Sequence, residues 1–203
     1  MYKSYFKRTL DFLLSLTLLV ITSPIMVLVL ILLFLSTRRN PFFIQTRPGL
    51  NEELFNIIKL KTMNDNKSKN GMLLSDAQRL TNIGSFVRKT SLDEIPQLIN
   101  VLMGDMSIIG PRPLLERYLP YYSERERLRH SIRPGITGLA QVNGRNTLGW
   151  NERLSFDVDY VENISFKLDL KIIYKTILKV VSSENIVVNP EAIMKNLDDE
   201  RQN

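Results

Sequence analysis

Hydrophobic and polar positions divide the chain into an apolar N-terminal block, two strand-like segments, a punctuated middle and an amphipathic helix near the end. Phe12 to Ser36 carries no charge and consists mainly of Leu, Val, Ile and Phe. That length reaches the roughly 20 apolar residues needed to span a bilayer. The block is too long for a signal peptide, and no small-residue cleavage site follows it. Ser23-Pro24 interrupts the run midway, where proline removes a backbone donor and disfavours helix at the preceding residue. Lys3, Lys7 and Arg8 precede the block and Arg38 and Arg39 follow it, so the positive-inside bias puts both ends in the cytoplasm. A helix broken at Pro24 that enters and leaves by one face meets both facts. A kinked single span is the alternative, since proline is tolerated in membrane helices; the two-sided basic flank favours re-entry.

Beyond the block, Phe42 to Thr46 and Leu54 to Met63 read as two strands joined by the turn Arg47-Pro48-Gly49-Leu50-Asn51. Asn64 to Asp76 is rich in Asn, Lys, Ser and Gly and reads as a loop. Short helical patterns cover Ile83 to Lys89 and Leu92 to Leu102. Glycine and proline punctuate Gly104 to Gly149, around a charged helix at Pro120 to His130. From Ser165 to about Ser183, Phe166, Leu170, Ile173, Tyr174, Ile177, Leu178 and Val181 share one helical face, while Lys167, Lys171, Lys175 and Lys179 stripe another. Such a helix suits an anionic membrane surface, although an ordinary surface helix packing its greasy side on a core has the same pattern. The last dozen residues are polar and read as loose. The pattern predicts an α+β chain with a re-entrant N-terminal membrane helix hairpin over residues 1–39. A small, mostly helical cytoplasmic domain with a short β-hairpin and amphipathic interfacial helices spans 40–186, and a polar tail spans 187–203.

Charge narrows the partners. The 203 residues carry a net charge of +6, which favours phosphates, anionic lipid or nucleic acid; the apolar block argues against nucleic acid. With no cysteine, disulfides and thiolate metal sites are excluded, and a single histidine, His130, excludes a multi-histidine centre. Any metal is then a hard cation, magnesium or manganese, on carboxylates and phosphate oxygens. His130 itself reads as a surface residue of the charged helix.

Candidate chemistry centres on Ser91-Leu92-Asp93-Glu94. Ser91 with Glu94 has the capping-box pattern, which by itself explains the acids. A carboxylate at a helix N-terminus has its pKa lowered, so Asp93 is expected to stay ionised and able to attack phosphorus. Glu94, about a quarter-turn away, is free for a separate task such as holding magnesium against a diphosphate. Phosphoryl transfer also needs fixed positive charge. Gly110-Pro111-Arg112-Pro113, Arg133-Pro134-Gly135-Ile136-Thr137-Gly138 and Asn143-Gly144-Arg145 each set an arginine in a restricted or permissive backbone. Lys59 and Lys61 alternate along the second strand and so point to one face. Asp157 is a further candidate for metal or substrate, capping accounts for Asp169, and packing accounts for Trp150 and Phe156.

These residues together resemble the small monotopic phosphoglycosyl transferases of bacterial glycan assembly. The resemblance runs through Ser23-Pro24, Thr46-Arg47-Pro48-Gly49, Lys59-Leu60-Lys61-Thr62-Met63, Ser91-Leu92-Asp93-Glu94, Gly104-Asp105-Met106-Ser107, the two Pro-flanked arginine motifs and Gln141-Val142-Asn143-Gly144-Arg145-Asn146. It is nearest to members that transfer bacillosamine phosphate in N-glycosylation, from which the tail Asp198-Asp199-Glu200-Arg201-Gln202-Asn203 departs. The resemblance implies a re-entrant helix in the bacterial inner membrane, with both termini and the active site on the cytoplasmic face. It implies attack by Asp93 on the β-phosphate of a UDP-sugar, release of UMP, and transfer of the phosphosugar to undecaprenyl phosphate. Glu94 would bind Mg2+, Lys59, Arg88 and Arg112 would hold phosphates, and Arg145 would meet the nucleotide. The competing readings are a non-enzymatic membrane-surface module, which leaves the fixed arginines unexplained, and a lipid-diphosphate phosphatase.

Overall fold

The computed structural model describes residues 2–144, 148–182 and 195–202. After a π-helical turn over Tyr2–Phe6, helix α1 (Lys7–Thr37) runs unbroken for 31 residues. Among the described residues it is the one helix long and apolar enough to cross a membrane. The helical backbone continues through Pro24, and local chemistry explains how the proline is accommodated. Proline withholds the amide that would reach the carbonyl of Val20, and the Ser23 hydroxyl donates to that oxygen instead, at 2.8 Å. Arg38 closes the helix in the left-handed region, its amide donating to Phe34 O. Burial along α1 is confined to its two ends: Lys7, Asp11 and Ser15 at one, Val29 and Leu33 at the other. Val20, Ile21, Ile25 and Val27 between them are exposed.

Strands β1 (Phe42–Pro48) and β2 (Leu54–Leu60) pair antiparallel, with Phe42 opposite Leu60 and Pro48 opposite Leu54. The first strand outruns its expected end, which carries Arg47 into the sheet. After the short α2 (Asp76–Arg79) and α3 (Asn82–Lys89), the single helix expected from Leu92 divides into a 3-10 turn, Leu92–Glu94, and α4 (Gln97–Met103). Pro96 sits at the junction, where its missing amide costs nothing. α4 docks on the free edge of β2 through Asn100, which is fully buried. Its amide donates to Asn56 O at 2.8 Å and accepts from Ile58 N at 3.1 Å, so one side chain stands in for a third strand. α3 closes on the end of β2 at Gly84, where an added Cβ would lie 1.9 Å from Thr62 O.

A parallel pair that the sequence pattern did not announce, β3 (Ser107–Ile109) and β4 (Gly135–Thr137), lies beyond α4. It brings the two proline-flanked arginine motifs side by side: Gly110 N donates to Thr137 O and Gly135 N to Pro111 O, both at 2.9 Å. A Cβ on Gly135 would lie 2.0 Å from Gly110 N, so glycine is required for this approach. The charged helix expected at Pro120 to His130 reduces to α5 (Glu124–Arg127) between two 3-10 turns, opened by a true capping box of Ser123 and Glu126.

α6 (Leu139–Asn143) leads towards α7 (Trp150–Glu162), which buries Trp150, Leu154, Asp157 and Val158. α8 (Phe166–Ser182) turns Asp169 and Ile172 inward and leaves Phe166, Leu170, Tyr174, Ile177 and Leu178 exposed. The greasy face therefore looks away from the core, which decides against simple core packing. Asp169 is no mere cap: it accepts hydrogen bonds from Tyr2, Lys7 and Tyr160 at 2.6–2.8 Å and pins the start of α1 to α8. The tail is also not loose over its described part. Leu197 of α9 (Leu197–Arg201) is fully buried against Tyr118, Trp150 and Leu154, and Arg201 pairs with Glu126 at 2.6 Å.

Candidate active site

Asp93 and Glu94 sit on the 3-10 turn between α3 and α4, held by the left-handed backbone of Ser91 (φ 56°). The capping box expected of Ser91 and Glu94 is absent, since the Ser91 side chain makes no cap hydrogen bond. Glu94 turns instead to two cations. Its Oε1 accepts from Lys59 Nζ at 2.8 Å and from Arg112 Nη2 at 2.6 Å. β2 supplies the lysine and the β3–β4 pair fixes the arginine, so two separate β-elements converge on one carboxylate oxygen. Behind Arg112, Arg129 Nη2 donates to its carbonyl at 2.6 Å, and Arg129 is in turn paired with Asp157 at 2.9 Å. Asp157, expected at substrate, is buried in that pair and acts on the site through Arg129 and Arg112.

Asp93 differs from its neighbour. Among the described residues no donor hydrogen-bonds its carboxylate, while Lys59, Arg112 and Arg88 lie near enough to act on it through charge. Burial, then the adjacent Glu94 charge, pushes its carboxyl up to about 6. The lowered pKa expected at a helix start is therefore wrong for Asp93: the residue lies in a buried turn beside a second acid. It is Glu94 that falls well below the usual carboxylate range, because Arg112 and Lys59 together outweigh its burial. Two adjacent acids thus have opposite tendencies, the arrangement that separates roles in catalytic carboxylate pairs.

The remaining cations distribute unevenly. Arg88 Nε donates to Thr62 Oγ1 at 2.8 Å, which anchors α3 while its charge faces Asp93. Lys61 leaves the strand direction, which ends at Leu60, and pairs with Asp65 at 2.5 Å away from the dyad. Arg133 donates to Gly104 O at 2.7 Å and secures the end of α4. Arg145 lies outside the described residues. His130 is buried rather than on the surface; its Nδ1 lies 3.3 Å from Gly49 O, and burial, reinforced by Arg129, pushes its pKa down to about 4. Trp150 packs, as expected, edge-on to Tyr118 at 5.3 Å.

Arg47, a turn residue by sequence pattern, lies near the end of β1 and close to Arg112. Its Nη2 donates to Gln45 Oε1 at 2.6 Å, yet its Nη1 is buried with no hydrogen-bond partner, and no acid pairs with it among the described residues. Burial, then the like charge of Arg112, pushes its pKa down to about 10. A half-buried guanidinium with an unpartnered Nη1 beside another arginine has the chemistry to take an anion. The signal available in the sequence was a basic residue at the end of a strand that also bears Gln45. For metals, no group of three or more His, Asp, Glu or Cys is assembled among the described residues. The dyad offers two carboxylates, the complement Mg2+ ordinarily takes when a phosphate substrate supplies the rest.

The family model described as bacterial sugar transferase matches residues 2–183. An uncharacterised sugar transferase of Bacillus subtilis, EpsL, is 48% identical over 180 residues, covering 89% of both chains. A UDP-glucose:undecaprenyl-phosphate glucose-1-phosphate transferase of Caulobacter vibrioides is 37% identical over 191 residues, 88% of this chain and 71% of that protein. An exopolysaccharide production protein of Sinorhizobium fredii, ExoY, is 37% identical over 194 residues, 87% of this chain and 86% of its own.

Proposed function

The chain belongs to the bacterial sugar transferase family, and on that premise we propose that it moves a sugar 1-phosphate from a UDP-sugar to undecaprenyl phosphate through a phosphosugar intermediate on Asp93. The observation that carries the reading is the unequal dyad: Asp93 is unanchored and raised, Glu94 is clamped by Lys59 and Arg112. A carboxylate titrating near 6 is more basic than an ordinary aspartate and still largely ionised at neutral pH, which suits a nucleophile.

In the first step an Asp93 carboxylate oxygen bonds to the β-phosphorus of the donor. The bond from that phosphorus to the α–β bridging oxygen breaks, and UMP leaves with the oxygen. In the second step an oxygen of the lipid phosphate attacks the same phosphorus and the Asp93 carboxylate departs, giving a lipid-diphosphate sugar. Lys59, Arg88 and Arg112 hold phosphate oxygens and offset the charge that develops on them. Arg47 adds an unpaired donor for the diphosphate, and Arg145 is assigned to the nucleotide. Mg2+ would be held by Glu94 together with the donor's phosphates, and it would supply charge neutralisation of the diphosphate.

The membrane assignment rests on α1 and α8. Both ends of α1 pack on one globular body while its middle stays exposed, a pattern suited to re-entry rather than to crossing. The exposed greasy face of α8 suits the same membrane surface. We assign both termini and the dyad to the cytoplasmic face of the bacterial inner membrane. Relatives named for glucose-1-phosphate transfer and exopolysaccharide production make UDP-glucose the first donor to test, and make a polysaccharide a better candidate product than an N-glycoprotein. Purified protein with Mg2+, UDP-glucose and polyprenyl phosphate is expected to release UMP, and Asp93→Asn to release none and form no labelled adduct. Full turnover by Asp93→Asn would rule the intermediate out.

A further inference from the structure

Beside the dyad, an open cavity of about 250 Å3 lies between α1 and α8. At one end it is lined by Ser91, Glu94 and Arg112. Leu98, Ile108, Ile136 and Val142 form apolar walls, and Leu18 and Val180, both about two-fifths exposed, belong to the membrane-facing helices. The exposed side chains of Leu14, Ile21, Ile177 and Leu178 continue the apolar surface on those helices. A chain of hydrocarbon can pass from a bilayer into this cavity without crossing water, and its charged end then meets Arg112.

The cavity's other polar lining comes from Lys179 of α8, two threonines and Gln141. Thr137 and Thr176 hydroxyls occupy one another at 2.8 Å. Gln141 is the exception: it lines the cavity, is 8% exposed, and both its side-chain amide atoms are buried without hydrogen-bond partners. Leaving both atoms unpaired is costly unless a ligand completes them.

Resting on the transferase reading above, we propose that this cavity seats the phosphate-proximal isoprene units of the acceptor lipid, with Gln141 donating its amide to the acceptor phosphate at the Arg112 end. The observation is an apolar slot that joins membrane-facing surface to the dyad and holds one unsatisfied buried amide. The acceptor then enters from the bilayer and brings its phosphate to the cation cluster of Lys59 and Arg112 that the donor phosphates also use.

The test compares half-reactions for Val180→Trp, which fills the exposed rim without disturbing the core, and Gln141→Leu, which keeps the volume and removes the amide. Steady-state turnover is expected to give a KM for polyprenyl phosphate raised about tenfold or more in both, the size of one lost good contact. The KM for UDP-sugar and the lipid-independent UMP burst are expected to stay as in the unsubstituted enzyme. With ethyl phosphate as acceptor, Val180→Trp is expected to match the unsubstituted enzyme and Gln141→Leu to remain impaired. An unchanged acceptor KM in Val180→Trp overturns the proposal, as does a rise confined to the UDP-sugar KM, which would make the cavity a donor site. Absence of the burst from the unsubstituted enzyme would instead sink the covalent reading, while the acceptor KM still decides the cavity.

Discussion

Asp93 and Glu94 are neighbours in the chain and opposites in their surroundings, and the difference has a measurable sign. The attacking form of Asp93 is the ionised one, and its carboxyl is held up at about 6. Single-turnover release of UMP is therefore expected to fall as pH drops through about 6 and to level off above it, whereas an unperturbed aspartate would hold its rate down to about 4. Glu94 stays ionised across that range. Arg47 gives a second residue-scale expectation. A half-buried cation without a counter-charge, its Nη1 unpartnered, adds little to folding, so Arg47→Met is expected to melt at the same temperature or higher. The same change is expected to raise the KM for UDP-sugar by about 10- to 100-fold, the worth of a charged hydrogen bond. A lowered melting temperature with unchanged kinetics would make Arg47 structural.

At the scale of elements, the buried knot of Tyr2, Lys7, Tyr160 and Asp169 joins α1, α7 and α8. Asp169→Asn is expected to leave Lys7 uncompensated and to lower stability by about 3–5 kcal/mol, with Lys7→Met in the same chain restoring part of it. Thermal melts of the four proteins in detergent measure the coupling. The β-hairpin and α8 were legible because each carries its period in side chains alone. α7 was not, because its buried stripe includes Asp157, whose partner Arg129 lies 28 residues away, and a buried ion pair looks like surface in one dimension. β3 and β4 were too short, at three residues each, to present a period. The dyad was legible as chemistry but not in its electrostatics: nothing local announces that Lys59 and Arg112 both choose Glu94.

For the whole molecule, the exposed surface of α1 and α8 and the shared body beneath both ends of α1 make a topological claim. The chain has no cysteine, so single cysteines introduced at Lys3 and Arg39 report without background. Both are expected to react with a membrane-impermeant thiol reagent from the cytoplasmic side, in inverted vesicles, and neither from outside in intact cells. Labelling of one from each side would mean that α1 crosses.

Lys7 and Asp169 are 162 residues apart, so the two partners leave the ribosome at different times. Synthesis at about 5–20 residues per second separates them by roughly 8–30 s. Throughout that interval the nascent α1 carries an ammonium at the very start of its greasy stretch whose hydrogen-bonded partner has not yet been made, with only Asp11 one turn away to offset it. The charge holds that terminus at the water boundary, so the hydrophobic arm waits in a shallow position until the C-terminal third arrives to lock it there.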